Sequence, residues 1–380
     1  MKRTTFTILG FLLAVVFAAA QVTPMPLVVK DARSIAMGGA FTALSSGYQS
    51  LYGNPAGFAL GRGMLTLANV STWGFIRPTT DQIASLQSMT SSSATTSDYL
   101  KFANQLITGN GLGAGAAAGL GWTGAGLGLG VTAVTEEYAH GLTLLGTQFQ
   151  SVTQINVIAG MAITLGPQDF NLKIGGDLRP FMRIDSTFPA TDMITALATG
   201  GDPGAVINNA NARFGLGLAA DLGAIFTMGP LSAGLSIRDI APSFAFGQTT
   251  LGDILSSGGS PTYTTSDQGQ FLPNIAFGLG YSPRFIPGII DPSLYFEVQD
   301  PIRVLQENDS FWNALHVGGE LRLLSFVYLR GGINQGWLTA GLGVNLLILE
   351  IDGALFTEEL GSHPGDFPRS GVAANIRLHL

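Results

Sequence analysis

The sequence contains no cysteine in 380 residues, which excludes disulfides, thiolate metal centres and a lipoprotein attachment site. Charge is scarce as well: Asp, Glu, Lys and Arg make up 11% of the chain, against about 25% in an ordinary soluble domain. No basic surplus exists, since the formal net charge is −7, which argues against a nucleic-acid partner. Apolar content is high, yet beyond the N-terminus no stretch reads as a spanning helix. The uncharged stretch 106–135 contains ten glycines, and each glycine inside a helix costs about 1 kcal/mol relative to alanine. Catalytic constellations are missing too. The four histidines, His140, His316, His363 and His379, show no ligand spacing. Residues 119–124 (GLGWTG) match a dinucleotide fingerprint by letter, but they lie in a glycine-rich hairpin with no helix after them. The expectation is no metal, no cofactor and no enzymatic activity.

What the sequence does contain begins with an export signal. Lys2 and Arg3 precede an apolar run from Phe6 to Phe17, and Ala18-Ala19-Ala20 supplies a small-residue cleavage pattern. Residues 1–20 are therefore expected to be removed, leaving Gln21 as the mature N-terminus. An exported, charge-poor, apolar chain without spanning helices has one common solution. A closed β-barrel satisfies every backbone group through neighbouring strands and so can sit in lipid.

That solution demands strands whose lipid-facing apolar residues alternate with small or polar lumenal ones. In 170–185 one face reads Phe170, Leu172, Ile174, Gly176, Leu178, Pro180, Met182 and Ile184. All five charges, Lys173, Asp177, Arg179, Arg183 and Asp185, fall on the other face. The opposite register would put Arg179 and Arg183 in lipid at about 2–4 kcal/mol each near the midplane. A second outward row is Phe214, Leu216, Leu218, Ala220, Leu222, Ala224 and Phe226, opposite Asp221 among glycines and alanines. Glu320 and Arg330 take inward positions by the same alternation. Lumen-facing Gly175 and Gly217 are expected to tolerate polar substitution.

Fourteen strands are predicted in an all-β, antiparallel up-and-down barrel over 63–380: 63–73, 111–121, 125–136, 150–165, 169–185, 212–228, 231–240, 271–282, 292–304, 313–323, 325–334, 337–346, 347–356 and 370–380. No turn residue marks the break at Leu346-Leu347, so the count depends on it. Connections alternate between mostly long (74–110, 137–149, 186–211, 241–270, 305–312, 357–369) and mostly short. With short turns on the periplasmic side, both termini are expected there, in a bacterial outer membrane. Two long connections carry apolar residues at helical spacing: Ile83, Leu86, Met89, Tyr99, Phe102 and Leu106 in the first, and Met193, Ile194 and Leu197 in the third. They can line an apolar access groove or pack on each other as a lid.

Residues 21–62 do not alternate. Paired glycines and an Asn-Pro-Ala-Gly turn suggest a compact plug inside the lumen, whose Lys30, Asp31 and Arg33 need wall partners. Candidates are Lys173, Asp177, Arg179, Arg183, Asp221, Glu320 and Arg330.

The arrangement Asp31-Ala32-Arg33, Met37-Gly38-Gly39-Ala40, then Asn54-Pro55-Ala56-Gly57 before the first strand resembles the superfamily of FadL-type fatty-acid transporters and PorV-like outer-membrane proteins. The stretches 220–223, 234–239 and 316–320 are similar to it as well, particularly to its spirochaetal members. The resemblance implies a fourteen-stranded barrel with an N-terminal hatch formed around those motif residues. It also implies passive uptake of hydrophobic small molecules such as long-chain fatty acids. The alternative within the same resemblance is a scaffold or carrier for secreted proteins. Expected partners are outer-membrane lipid, a hydrophobic ligand or a secreted protein, and the barrel assembly machinery, for which the last strand resembles an assembly signal although it ends in Leu380.

Overall fold

The computed structural model describes residues 29–76, 111–141, 145–258, 261–269, 272–283 and 285–380, with isolated positions at 27, 95, 97, 101, 104, 105 and 143. The candidate access residues Ile83, Leu86, Met89, Tyr99, Phe102 and Leu106, and the signal segment 1–20, lie outside these.

Fifteen strands form one sheet: β1 (Met64–Ile76), β2 (Leu112–Gly124), β3 (Leu127–His140), β4 (Gln148–Leu165), β5 (Phe170–Pro189), β6 (Asn211–Met228), β7 (Leu231–Thr250), β8 (Thr265–Gly269), β9 (Asn274–Tyr281), β10 (Ile290–Gln299), β11 (Leu315–Leu323), β12 (Val327–Asn334), β13 (Trp337–Leu346), β14 (Leu349–Glu359) and β15 (Pro368–His379). Fourteen of them close a ring. Each pairs antiparallel with its sequence neighbours, β7 passes directly to β9, and β15 returns to β1 through a register running from Thr66 opposite His379 to Ile76 opposite Ser370. The short β8 lies against the far end of β7, outside the ring order. The expected fourteen-strand antiparallel barrel is the observed architecture.

The doubtful break is real. Leu347 adopts φ 44°, and with Ile348 it makes a two-residue hairpin between β13 and β14. Leu178, Leu218 and Leu222 are exposed on the outer surface, while Lys173, Asp177, Arg179, Arg183, Asp221, Glu320 and Arg330 are buried inward. A belt of bare leucine, isoleucine and valine around a closed ring, with its charges inside, is the surface of a membrane-spanning barrel of the outer-membrane type.

Several expectations need correction. The seventh strand does not stop at 240 but continues to Thr250, so 241–270 is only partly a loop. Its middle is irregular: two register shifts against β6 fall between Leu218 and Leu222, and Asp239 sits at φ 55°. The ninth predicted strand, observed as β10, ends at Gln299 rather than 304, because Pro301 opens a helix, Pro301–Glu307, at a position where its missing N–H costs nothing. Phe214 is on the outward row but does not meet lipid. The helix Leu251–Ser256 folds over the outer face there, and Ile254 covers Ala212 and Phe214 together with Met182 and Ile184. Met193 and Ile194 lie on a helix, Ala190–Thr199, which also contains Leu197.

The wall is uneven in height. Strands β4 and β6 have 18 residues and β5 and β7 have 20, whereas β9 and β12 have 8. The long strands exceed the 9–11 residues a tilted strand needs to cross a bilayer, so this side projects beyond it.

Candidate functional site

Residues 29–62 pack against inward-facing side chains from nearly all of the ring. The short helix Ala32–Ala36 touches β12 to β15, the 3-10 turn Gly47–Leu51 touches β1 to β3, and the turn Pro55–Ala59 touches β2 to β6. Only the interior of the ring reaches all these strands. Leu27 and Val29 pack among Trp73, Phe75, Ala354, Phe356 and Ala373, near the long-loop ends of β1, β14 and β15. The segment ends where Met64 starts β1 at the short-turn end. It therefore crosses the lumen from one end toward the other. Leu27, the first described residue, lies at the long-loop rim.

Local chemistry explains the segment's shape. Asp31 caps the helix Ala32–Ala36 by accepting from the Ser34 N–H at 3.2 Å. Met37 is fully buried against Ala40 and Tyr295. Gly38, at φ 67°, lies so close to the wall that a Cβ would stand 2.4 Å from the Ile333 carbonyl oxygen; its own N–H donates to Thr339 at 3.1 Å. The Gly39 carbonyl accepts from Gln299 at 3.1 Å. Asn54 caps the turn at Pro55, accepting from the Ala56 N–H at 3.0 Å, while its amide donates to the Ala224 and Leu235 carbonyls of the wall. Gly57 packs on the Ser45 carbonyl.

Charges anchor this segment at separate points. Asp31 is fully buried and accepts from Gln49 at 2.6 Å, Tyr52 at 3.0 Å and Arg377 at 3.1 Å. Burial, reinforced by the Asp31 charge, pushes the Tyr52 phenol well above its ordinary pKa, so it stays a donor. Arg33 forks onto both oxygens of Glu320 at 3.0 Å each. Glu320 also accepts from Arg330 at 2.7 Å, and Arg330 continues to Asp352. Lys30 pairs with Glu358 at 2.6 Å, and Glu358 in turn holds Arg369, which lies 3.8 Å over the Phe75 ring. The buried Glu297 takes the Phe41 and Thr42 N–H groups at 2.8 and 2.7 Å and the Thr42 hydroxyl at 2.8 Å.

Of the seven predicted wall charges, only Glu320 reaches Lys30, Asp31 or Arg33 directly among the described residues, with Arg330 behind it. Arg179 instead bonds Asp221, Asp239 and Asn156. Arg183 bonds Asp185 and Gln154, and Lys173 bonds Asn171. Asp177 stands opposite Asp221 in the register, with one oxygen unbonded. The partners that sequence reading missed are Arg377, Glu358, Glu297 and Arg238, the last of which donates to the Tyr52 carbonyl. Arg377, Glu297 and Arg238 occupy inward positions of strands that were recognised, so alternation alone would have offered them. Glu358 lay two residues past the predicted end of its strand.

Among the described residues no group of three His, Asp or Glu side chains is placed to hold a metal ion. Arg179, Arg183 and Arg330 are each engaged with another lumenal charge.

No family model matches the sequence, and no curated protein matches it. The fold has solved relatives. The CymD monoaromatic hydrocarbon channel is similar over 94% of this chain and 98% of its own, with a TM-score of 0.52 at 12% identity. The toluene transporter TodX of P. putida covers 93% and 99% at 10% identity and a TM-score of 0.48. A FadL homologue of Pseudomonas aeruginosa covers 93% and 98% at 9% identity and 0.44. At these identities the likeness to CymD concerns the fold alone, and the other two are too distant to carry an argument.

Proposed function

We propose that the protein is a passive outer-membrane channel for apolar small molecules, with residues 29–62 as its plug. The observation that carries the reading is the plug's position: the segment crosses the lumen and is ion-paired to the wall on β11, β14 and β15. A diffusion porin keeps an open water path, and this ring holds its own N-terminal segment there instead. The class of solute follows from the lining at the long-loop end. Trp73, Phe75, Tyr138 and Phe356 gather around Leu27, Val29 and Ile35. Aromatic faces of this kind hold flat or extended apolar molecules. The fold likeness to a monoaromatic hydrocarbon channel supports the same class. Both the Asp31-to-Gly39 half and the Asn54-to-Gly57 turn must leave the wall for a solute to pass to the short-turn side, which this reading takes as periplasmic.

Two measurements test the proposal. Deleting residues 29–60 should raise conductance in planar bilayers well above wild type, and equal conductance would remove the plug from the account. Titrating purified protein with a long-chain fatty acid or a monoaromatic hydrocarbon should change tryptophan emission, and Trp73→Phe should abolish most of that change. Emission indifferent to both ligands, together with a protein that co-purifies stoichiometrically, would favour the secretion-scaffold alternative.

A further inference from the structure

The rim at the short-turn end has two chemistries. On the β1 to β7 side the turns are Ala125-Gly126, the 166–169 connection with Gln168 and Asp169, and Gly229-Pro230. On the β9 to β14 side they are apolar: Phe285 and Ile286 between β9 and β10, Leu324 and Phe326 between β11 and β12, and Leu347-Ile348 between β13 and β14. All six side chains are exposed, Leu347 at 97% and Phe285 at 72%. The sequence has no charge at 285–290, 324–326 or 347–348.

Backbone conformation argues that these side chains are not there by default. Leu324 has φ 51° and Leu347 φ 44°. Tight hairpins ordinarily fill such positions with Asn, Asp or Gly, because a side chain with Cβ disfavours the left-handed region. Two leucines occupy them against that preference and place their apolar surface outward.

The rim is also wired for a medium that offers few hydrogen bonds. The Leu324 N–H donates to the Ile289 carbonyl at 3.0 Å, Asn345 to Phe326 at 2.8 Å, His379 to Ile348 at 2.9 Å and Leu65 to Leu380 at 3.0 Å. Turns and neighbouring strands thus satisfy one another's backbone groups, as hydrocarbon requires; the polar turns are bonded likewise, Gly229 N–H to the Asp169 carbonyl at 2.9 Å, so apolar exposure and strand length are what distinguish the β9 to β14 side. Strand length points the same way. Eight residues, as in β9 and β12, rise about 21 Å at ~3.4 Å per residue and a tilt of about 40°, short of an apolar band about 25 Å tall. The outward belt of Leu342 and Leu346 runs on without a break into Leu347.

We infer that the β9 to β14 turns form a lipid-docking rim, immersed in the acyl region of the leaflet at the short-turn end, with phospholipid as its occupant. The barrel then sits canted, its low wall sunk into that leaflet and its high wall, β4 to β7, standing clear on the opposite side. This goes beyond the transport reading and does not depend on what passes through the lumen.

The absence of cysteine makes the test direct. Single variants Leu324→Cys, Leu347→Cys and Phe285→Cys, with Gln168→Cys as the control, carry an environment-sensitive fluorophore. Each labelled protein is checked for heat-modifiable migration and reconstituted in phosphatidylcholine vesicles with or without brominated acyl chains. Iodide is supplied on both sides. The expected result is blue-shifted emission at 285, 324 and 347, quenched several-fold more by brominated lipid than at 168, with the iodide order reversed. Any two folded rim variants suffice, so failure of one to fold leaves the test intact. Iodide quenching at the rim as strong as at 168 would overturn the inference and free that surface for a protein partner.

Discussion

Replacing Gly175 by valine is the sharpest perturbation of the proposed plug. Gly175 and Gly223 face each other across β5 and β6 and together cradle the Asn54-Pro55-Ala56 turn. A Cβ on Gly175 would stand 2.4 Å from the Pro55 carbonyl oxygen and 2.8 Å from the Ala56 nitrogen. Both are backbone atoms, so no rotamer change relieves the clash, and the turn must lift. Gly175, expected to tolerate polar substitution because it faces the lumen, faces a lumen that is filled at that height. Overpacking costs about 1–3 kcal/mol and falls on the seated state alone, while the Asn54 amide bonds to Ala224 and Leu235 are lost on lifting in either protein and cancel from the comparison. A shift of about 1–3 kcal/mol moves the seated-to-lifted equilibrium by about one to two orders of magnitude. The strands keep their own ladders, so heat-modifiable migration should be unchanged while single-channel recordings show frequent opening. Gly353→Ala is the control, since no heavy atom lies within 4 Å of its Cβ position. If the Gly175→Val protein folds, stays closed and keeps residues 29–62 protected from protease, the turn is not seated where the argument needs it.

Leu178→Arg and Leu218→Arg should each lower assembly yield by the equivalent of about 2–4 kcal/mol, because both side chains point at lipid; densitometry of the folded band in vesicles measures it. Asp31→Ala removes one of two carboxylates from the buried Arg377, which keeps Glu350 at 2.9 Å and Asn69 at 3.0 Å. The effect should fall below the roughly 3–5 kcal/mol of a fully orphaned buried charge and appear as faster proteolysis of the segment with an intact barrel. Glu297→Gln keeps the shape but loses the charge-assisted bonds to Phe41 and Thr42, about 1.5–3 kcal/mol in all, and hydrogen exchange at those two amides should accelerate.

Much of the barrel was legible because lipid outside and charge inside impose a period of two on every strand. The reading failed where that period is locally broken. Beyond Ile240, the bulge around Asp239 and then Pro242 interrupt alternation, so a strand that continues for ten more residues looked like a loop. Phe214 obeys the pattern, but the helix that covers it arrives from 251–256, and no local signal reports that the outer wall has left the membrane there. The Leu347 turn carries none of the residues that turns usually show, and only the pairing of β13 with β14 reveals it. The segment's partners were legible in kind but not in identity. Arg377 is 346 positions from Asp31, and which inward charge meets which is decided by barrel register and tilt, not by neighbours in sequence.

The order of these anchors along the chain has a consequence for biogenesis. The first part of the segment is held by Glu358 on β14 and Arg377 on β15, the last strands to be made, whereas its later turns rest on β2 to β6. Asp31 therefore gains its cationic partner only when the final strand is in place, next to the seam where β15 joins β1. A ring that lacks that strand leaves an anion in the lumen with only Ser34, Gln49 and Tyr52 for company. Closing the cylinder thus completes the anchoring of its contents: the Arg33–Glu320 and Lys30–Glu358 pairs need only strands that precede β15, and the Asp31–Arg377 pair alone waits for the seam to close.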